Sequence, residues 1–233
     1  MGMISALRNA FHRQKRKNFY SRFVGPGMLC FDIGANVGEK SALFLGLGAR
    51  VVAVEPQSRC MPELERLRHR YGERFTIVKK AVSDRSGKAV LRLGNRSEVS
   101  TLSDEFIGHF GKHGALRWEE EEEVEVTTIG ELTGEFGRPD FLKIDTEGFE
   151  RKVISSLAGR IPFLEFEFTP YFMDDTRECV RLLGEMGPAL FNYNSYELPR
   201  LEMADWTNAG GMISMLEKIP RSMVHGNIFV KYS

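Results

Sequence analysis

From Met28 onward the chain alternates short apolar runs with longer amphipathic stretches. The runs MLCFDIG, RVVAVE, FTIVKKAV, DFLKID and IPFLEFEF are almost wholly apolar, as strands covered on both faces are. Between them lie helix-length segments: VGEKSALFLGLG, a charged one from about Arg59 to Tyr71, one beginning near Phe149 and one from about Thr176 to Met186. Strands that alternate with helices predict βαβ units and a parallel sheet, because parallel neighbours need a crossover connection. ALFNYN and the closing GNIFVKYS add two strands, the second placed to be the last of the sheet. The expected fold is a doubly wound α/β domain.

Two regions depart from the alternation. Residues 1–24 interleave Ile4, Leu7 and Phe11 with Arg13, Lys15, Arg16 and Lys17, which predicts an amphipathic helical lead-in packed on the domain edge with its basic face in water. Residues 84–138 carry short alternating segments, KAVLRL and EVEVTTI, around a flexible stretch from Ser97 to His113. Residues 94–122 read as an irregular insertion. Within it Glu119 to Glu123 read as a solvated loop or an edge-strand guard, since like charges repel when packed.

Composition narrows the class. With 233 residues, 42% of them apolar, the chain suffices for one α/β domain with a full core and is short for two catalytic domains. Lys plus Arg equals Asp plus Glu at 32 each, so no global field draws nucleic acid. Cys30, Cys60 and Cys179 are odd in number and form no C-x-x-C pair, which predicts buried free thiols. No apolar run is long enough for a membrane span, no secretory signal opens the chain, and Ala6 stands where a myristoylation signal needs a small hydroxyl residue. The expectation is a cytoplasmic protein without nucleic-acid partner or membrane span, homo-oligomerisation being left open.

The chemistry concentrates in FDIGANVGEKS, residues 31–41. A strand ends in Asp32 and passes through Gly34, Asn36 and Gly38 into a helix, and glycines there let backbone approach a ligand. A second strand ends at Glu55, where βαβ nucleotide sites place the acid that binds a ribose hydroxyl. An adenosine-containing ligand is expected. Asn36 replaces the second glycine of the dinucleotide pattern, and Glu39 replaces the lysine of a P-loop. Asp32 would repel a pyrophosphate but suits a cation, which favours S-adenosylmethionine over a nicotinamide dinucleotide. A nicotinamide-dependent oxidoreductase and a non-catalytic cofactor-binding module are the competing readings.

FLKIDTEG places Lys143, Asp145 and Glu147 at another strand tip, where ligands of open α/β sheets sit. Strand alternation puts Lys143 and Asp145 on one side. Asp145 is the first candidate for general base or acceptor orienter, with Glu167 a further candidate near the end of IPFLEFEF. His109, His113 and His225 are weaker candidates. No spacing demands a metal.

In order and separation, FDIGANVG, VVAVEP, KKAVSDRSG, FLKIDTEGFE and HGNIFVK resemble the FkbM family of methyltransferases, over roughly residues 28–231; KIDTEGFE is the most distinctive segment. The resemblance implies a mostly parallel seven-stranded sheet of the class I methyltransferase type with its last strand antiparallel. It also implies S-adenosylmethionine as donor and O-methylation of a small-molecule or sugar hydroxyl. It places Asp32 and the loop from Gly34 through Ala35 and Asn36 to Gly38 around the methionine part of the cofactor, Glu55 on the ribose, and Ser83 and Asp84 near the adenine. Asp145 and Glu147 would face the methyl group. Residues 94–122 match no part of the pattern, so the acceptor is not legible.

Overall fold

A computed structural model describes residues 2–220 and 222–232. Seven strands form the main sheet: β1 (Leu29–Ile33), β2 (Arg50–Val54), β3 (Phe75–Val78), β7 (Phe141–Ile144), β8 (Phe163–Phe168), β9 (Ala189–Ser195) and β10 (Gly226–Tyr232). Their order is β3-β2-β1-β7-β8-β10-β9, and β10 runs antiparallel to both of its neighbours. The expected seven-stranded sheet with an antiparallel last strand is the one observed.

Alternate residues of each strand feed two cores. Phe31, Ile33, Leu142, Ile144 and Phe166 pack beneath α5 (Ile129–Phe136), α6 (Glu150–Ser155), α7 (Met173–Glu185) and α8 (Ala209–Leu216). Cys30, Val51, Ala53, Phe141 and Phe229 pack beneath α1 (Gly2–Tyr20), α2 (Glu39–Gly46) and α3 (Met61–Tyr71). Each fully buried phenylalanine contributes roughly 2–3 kcal/mol from apolar burial. Register also aligns polar positions, because Asp32 lies level with Lys143 and Lys143 with Glu165 across β1, β7 and β8.

Where the pattern of the sequence is weak, local chemistry sets the elements. α5 and α8 each carry two glycines, which blur a helical period. α5 is started by a capping box between Thr128 and Glu131, and α8 by the Asn208 side chain, which accepts from Gly211 N at 2.9 Å. The lead-in is helical, but Phe11 is 60% exposed beneath Lys15, and the side chains of Ile4 and Leu7 lie outside the described residues. The anchor is the last turn instead, where Phe19, Tyr20 and Phe23 pack around Phe229.

A second sheet holds the acidic run. β4 (Ala81–Val82), β5 (Gly87–Gly94) and β6 (Trp118–Thr127) form it in the order β4-β6-β5. Glu119 to Glu123 are therefore strand and not loop; β4 meets β6 only at Val126 and Thr127, so among the described residues the acidic run pairs with β5 alone and its other side is an edge, as the edge-guard reading expects. Cross-strand and neighbouring cations offset their repulsion: Lys88 on Glu123 at 2.7 Å, Lys79 on Glu122 at 3.3 Å, and Arg92 on Glu121. The stretch expected to be flexible holds α4 (Asp104–Phe110), capped by Ser103. Phe106 is buried beneath it, and Trp118 Nε1 donates to Val99 O at 2.8 Å. Residues 94–122 thus contain α4 and the first part of β6, with the His113 side chain outside the described residues. The three cysteines are buried and free. Among the described residues no helix is long and apolar enough to cross a membrane.

Candidate active site

The carboxyl ends of β1, β2 and β7 open into a cleft lined by Ile33, Gly34, Val54, Glu55 and Asp145. Gly34 turns out of β1 at φ 72°, and a Cβ there would stand 1.7 Å from the Asp145 carbonyl oxygen. The close approach of β1 and β7 therefore requires glycine. Gly38 has φ 82° and abuts Leu67 of α3. Asn36 holds φ 49°, and its amide donates to Glu55 Oε2 at 2.8 Å, while Gln57 N donates to Oε1 at 2.9 Å. Glu55 thus joins the loops after β1 and β2. Burial pushes its pKa up against those two hydrogen bonds, and the residue lines the cleft.

Ile33, Val54, Val82, Leu91, Leu102 and Phe149 supply apolar walls. Lys80 is the only cationic residue lining the cleft, and Asp145 and Glu147 close one end. Such a cleft fits an adenosine with a cation at the carboxylate end and fits a pyrophosphate poorly. One wall is unexpected: Ser97, Glu98, Ser100 and Thr101 of the segment without a family pattern line it. They are fixed by Gln57 Nε2 to Ser97 O at 3.1 Å, Ser100 Oγ to Gln57 Oε1 at 2.8 Å and Thr101 Oγ1 to Glu147 O at 2.7 Å.

Several residues expected at the cofactor do not line this cleft. Asp32 is fully buried beneath the loop, accepting from Ser41 Oγ at 2.6 Å and lying 3.5 Å from Lys143 Nζ. Ala35 is buried, its amide bonded to Val54 O. Ser83 and Asp84 bond to each other at 2.9 Å and line a separate polar groove with Lys88 and Lys152, because Ser83 N continues the β4–β6 pairing to Thr127 O. Ala81 and Val82 line the cleft instead.

Lys143 sits between two carboxylates. Its ammonium sits 3.1 Å from Asp145 Oδ2 and 3.5 Å from Asp32 Oδ1, and donates to Gly34 O at 3.2 Å; the two carboxylates hold its pKa above the ordinary lysine value despite burial. Asp145, Glu147 and Glu167 each bring a carboxylate oxygen within 4.8 Å of the other two. Glu150 shapes the loop between them, accepting from Thr146 N at 2.7 Å and Gly148 N at 3.1 Å. Burial and like charge push Glu147 well above the ordinary carboxylate range and Glu167 to about 8, while burial raises Glu150 to about 7. Glu167 Oε1 lies 2.9 Å from His225 Nδ1, and this contact raises the histidine above its ordinary value.

Sequence reasoning did not assemble a neighbouring network. Glu165, two residues before Glu167 on β8, is fully buried and accepts from Tyr20 Oη at 2.8 Å and Lys40 Nζ at 3.1 Å. Lys40 also contacts Tyr20 and lies 3.4 Å from Glu197. Among the described residues, the non-glycine positions with positive φ are Asn36, Glu147, Tyr196 and Glu197. Three of them carry site contacts, as strained backbone at functional sites often does. His109 lies against Tyr171 with the rings tilted by 42°.

Raised carboxyl pKa values set a pH trend. Between about pH 5 and 8 the folded protein binds more protons at Glu147, Glu150 and Glu167 than the unfolded chain does, so stability falls as pH rises through this window. Glu150 alone is worth on the order of 3 kcal/mol, and His225, with its raised pKa, acts in the same direction. The expected result is a urea midpoint that declines steadily from pH 5 to 8 in the ligand-free protein, with a shallower decline in Glu167→Gln.

The sequence pattern of the methyltransferase FkbM domain matches residues 32–195. No curated protein matches the chain. Similar solved structures include a precorrin-6Y C5,15-methyltransferase from Geobacter metallireducens, at 12% identity and TM-score 0.46, covering 94% of this chain and 87% of that one. A precorrin-8W decarboxylase from Methanobacterium thermoautotrophicum matches at 11% identity and TM-score 0.48, covering 94% and 90%. Fibrillarin from Aeropyrum pernix, bound to S-adenosyl-L-methionine, matches at 9% and 0.47, covering 89% and 68%.

Proposed function

Because the chain belongs to the FkbM methyltransferase domain family and uses S-adenosylmethionine, we propose that it is an O-methyltransferase acting on a neutral hydroxyl of a small molecule or sugar. The observation that carries this reading is the convergence of Asp145, Glu147 and Glu167 beside the cleft that Asp145 and Glu147 line. When bound, the donor supplies an electrophilic methyl group, and a hydroxyl acceptor must lose a proton as its oxygen takes that methyl. A carboxylate group suits that need. Asp145, tied to Lys143, is assigned to orienting the hydroxyl; Glu55 is assigned to the ribose; Asn36 and Gly34 are assigned to the backbone contour along the cofactor.

Phosphorylated acceptors, nucleic acid included, fit poorly, since buried Lys143 is already paired with Asp32 and Asp145 and is not available to a phosphate. The test is transfer of labelled methyl to a panel of neutral polyols and glycosides, sugar phosphates, amines and RNA, with EDTA present. Label in an alkali-stable ether of a neutral acceptor supports the reading. Label confined to amines or RNA, or transfer that requires an added divalent cation, overturns it. In the same assay Glu55→Ala is expected to raise the donor Kd by about 100-fold or more, because two loop amides lose their acceptor along with the ribose contact.

A further inference from the structure

Glu167 differs from the other acids at the site in what holds it. Asp145 is tied to Lys143, and Glu150 is spent on the amides of its own loop. Glu167 faces an imidazole, His225 Nδ1 at 2.9 Å. That histidine immediately precedes β10, whose Asn227 lies opposite Glu167 in the antiparallel register. Its backbone carbonyl accepts from Tyr196 N at 3.1 Å, and its ring meets the Tyr196 ring edge-on at 6.1 Å. The imidazole is thus fixed from two sides. Its side chain is 37% exposed against 13% for Glu167, so the pair runs from the carboxylate cluster towards water.

We propose that His225 is a positioning residue for the transfer: it holds Glu167 ready to take the acceptor's hydroxyl proton and returns that proton to solvent. The proposal rests on the O-methyltransferase reading. The acceptor's O–H bond breaks as its C–O bond forms and the methyl–sulfur bond breaks; the proton goes to a Glu167 oxygen, and the sulfur keeps the electron pair as a thioether. An imidazole beside Glu167 is suited to both halves of the cycle. Protonated, it donates to the carboxylate and keeps it ionised; neutral, it accepts the proton and releases it from the exposed ring. Other charged groups also face the pair. Asp145 and Glu147 from the loop after β7 and Glu150 from α6 disfavour ionisation of Glu167, and Lys143 opposes them at Glu147. Glu197, in the turn after β9, and Asp145 favour the imidazolium. Against that acidic background His225 is the partner that favours the Glu167 carboxylate.

A pair that merely braced β10 would give the same contact, so the test must read the proton. The full-length protein, labelled with 13C at the glutamate carboxyl and histidine Cε1 carbons and saturated with S-adenosylhomocysteine, is titrated by NMR as wild type, His225→Asn and Glu167→Gln. The expected result is a coupled titration in the wild type. In His225→Asn the Glu167 midpoint moves up by about one pH unit or more, and in Glu167→Gln the His225 midpoint moves down towards its ordinary value. In the labelled-methyl assay the acid limb of kcat for His225→Asn moves to higher pH, with kcat at pH 7 roughly tenfold lower or more and the donor KM unchanged. Independent titrations, or a kcat lowered equally at every pH, overturn the proposal. Homocysteine-nucleoside binding separates the two levels: retained binding with uncoupled titrations removes the His225 role alone, whereas a folded wild type that does not bind removes the methyltransferase reading beneath it.

Discussion

Gly34→Ala is expected to destabilise the fold by more than about 4 kcal/mol and to abolish measurable S-adenosylhomocysteine binding. Two effects add. Positive φ costs an alanine about 1 kcal/mol, and its methyl would lie 1.7 Å from the Asp145 carbonyl oxygen, a backbone atom of the adjacent central strand that cannot move without parting β1 from β7. Gly27 provides the control, because it has φ 79° and open space where a Cβ would stand. Gly27→Ala should therefore show the φ cost alone, leaving cofactor binding intact. Urea unfolding of the two variants, with calorimetric titration of each, separates strain from collision. Equal, small losses would mean that the strands are not held at this spacing.

Lys143→Met is expected to cost about 3–5 kcal/mol, a fall in Tm on the order of 10 °C. The lysine is the cation between Asp32 and Asp145. Removing it leaves Asp32, fully buried, with Ser41 as its remaining partner, and leaves Asp145 beside two more carboxylates. Much of the loss should return in the double variant Lys143→Met with Asp32→Asn, because the uncompensated buried charge is then gone. Thermal unfolding of both single variants and the double variant measures the coupling. Additive losses would show that the ion pair does not hold the two strand ends together.

The sheet is legible in the sequence because its strands are nearly pure apolar runs separated by helix-length segments, a pattern with few alternative folds. The pairing of Lys143 with Asp145 is legible for a simpler reason, since residues two apart on a strand share a face. The glycine loop and Glu55 stand out by their positions at strand ends. What escapes depends on contacts between distant residues. Tyr20, Lys40, Glu165 and Glu197 meet through register and a turn with positive φ, and no local spacing encodes that. Resemblance carries Ser83 and Asp84 to the cleft, but strand pairing past β4 takes them elsewhere. The acidic run of β6 looks unfit for a strand because its cations come from β5 and from Lys79 between β3 and β4. The two glycine-bearing helices lack a period strong enough to see.

The claim on which the rest depends is that the cleft bounded by Gly34, Asn36, Glu55 and Asp145 receives the methyl donor. Calorimetric titration of the purified protein with S-adenosylhomocysteine, S-adenosylmethionine and NAD, repeated on Glu55→Ala, tests it most directly. Micromolar binding of the two sulfur nucleosides, lost in the variant, with none of NAD, is the predicted result. A folded protein that binds neither sulfur compound, or that binds them undiminished without Glu55, would contradict it.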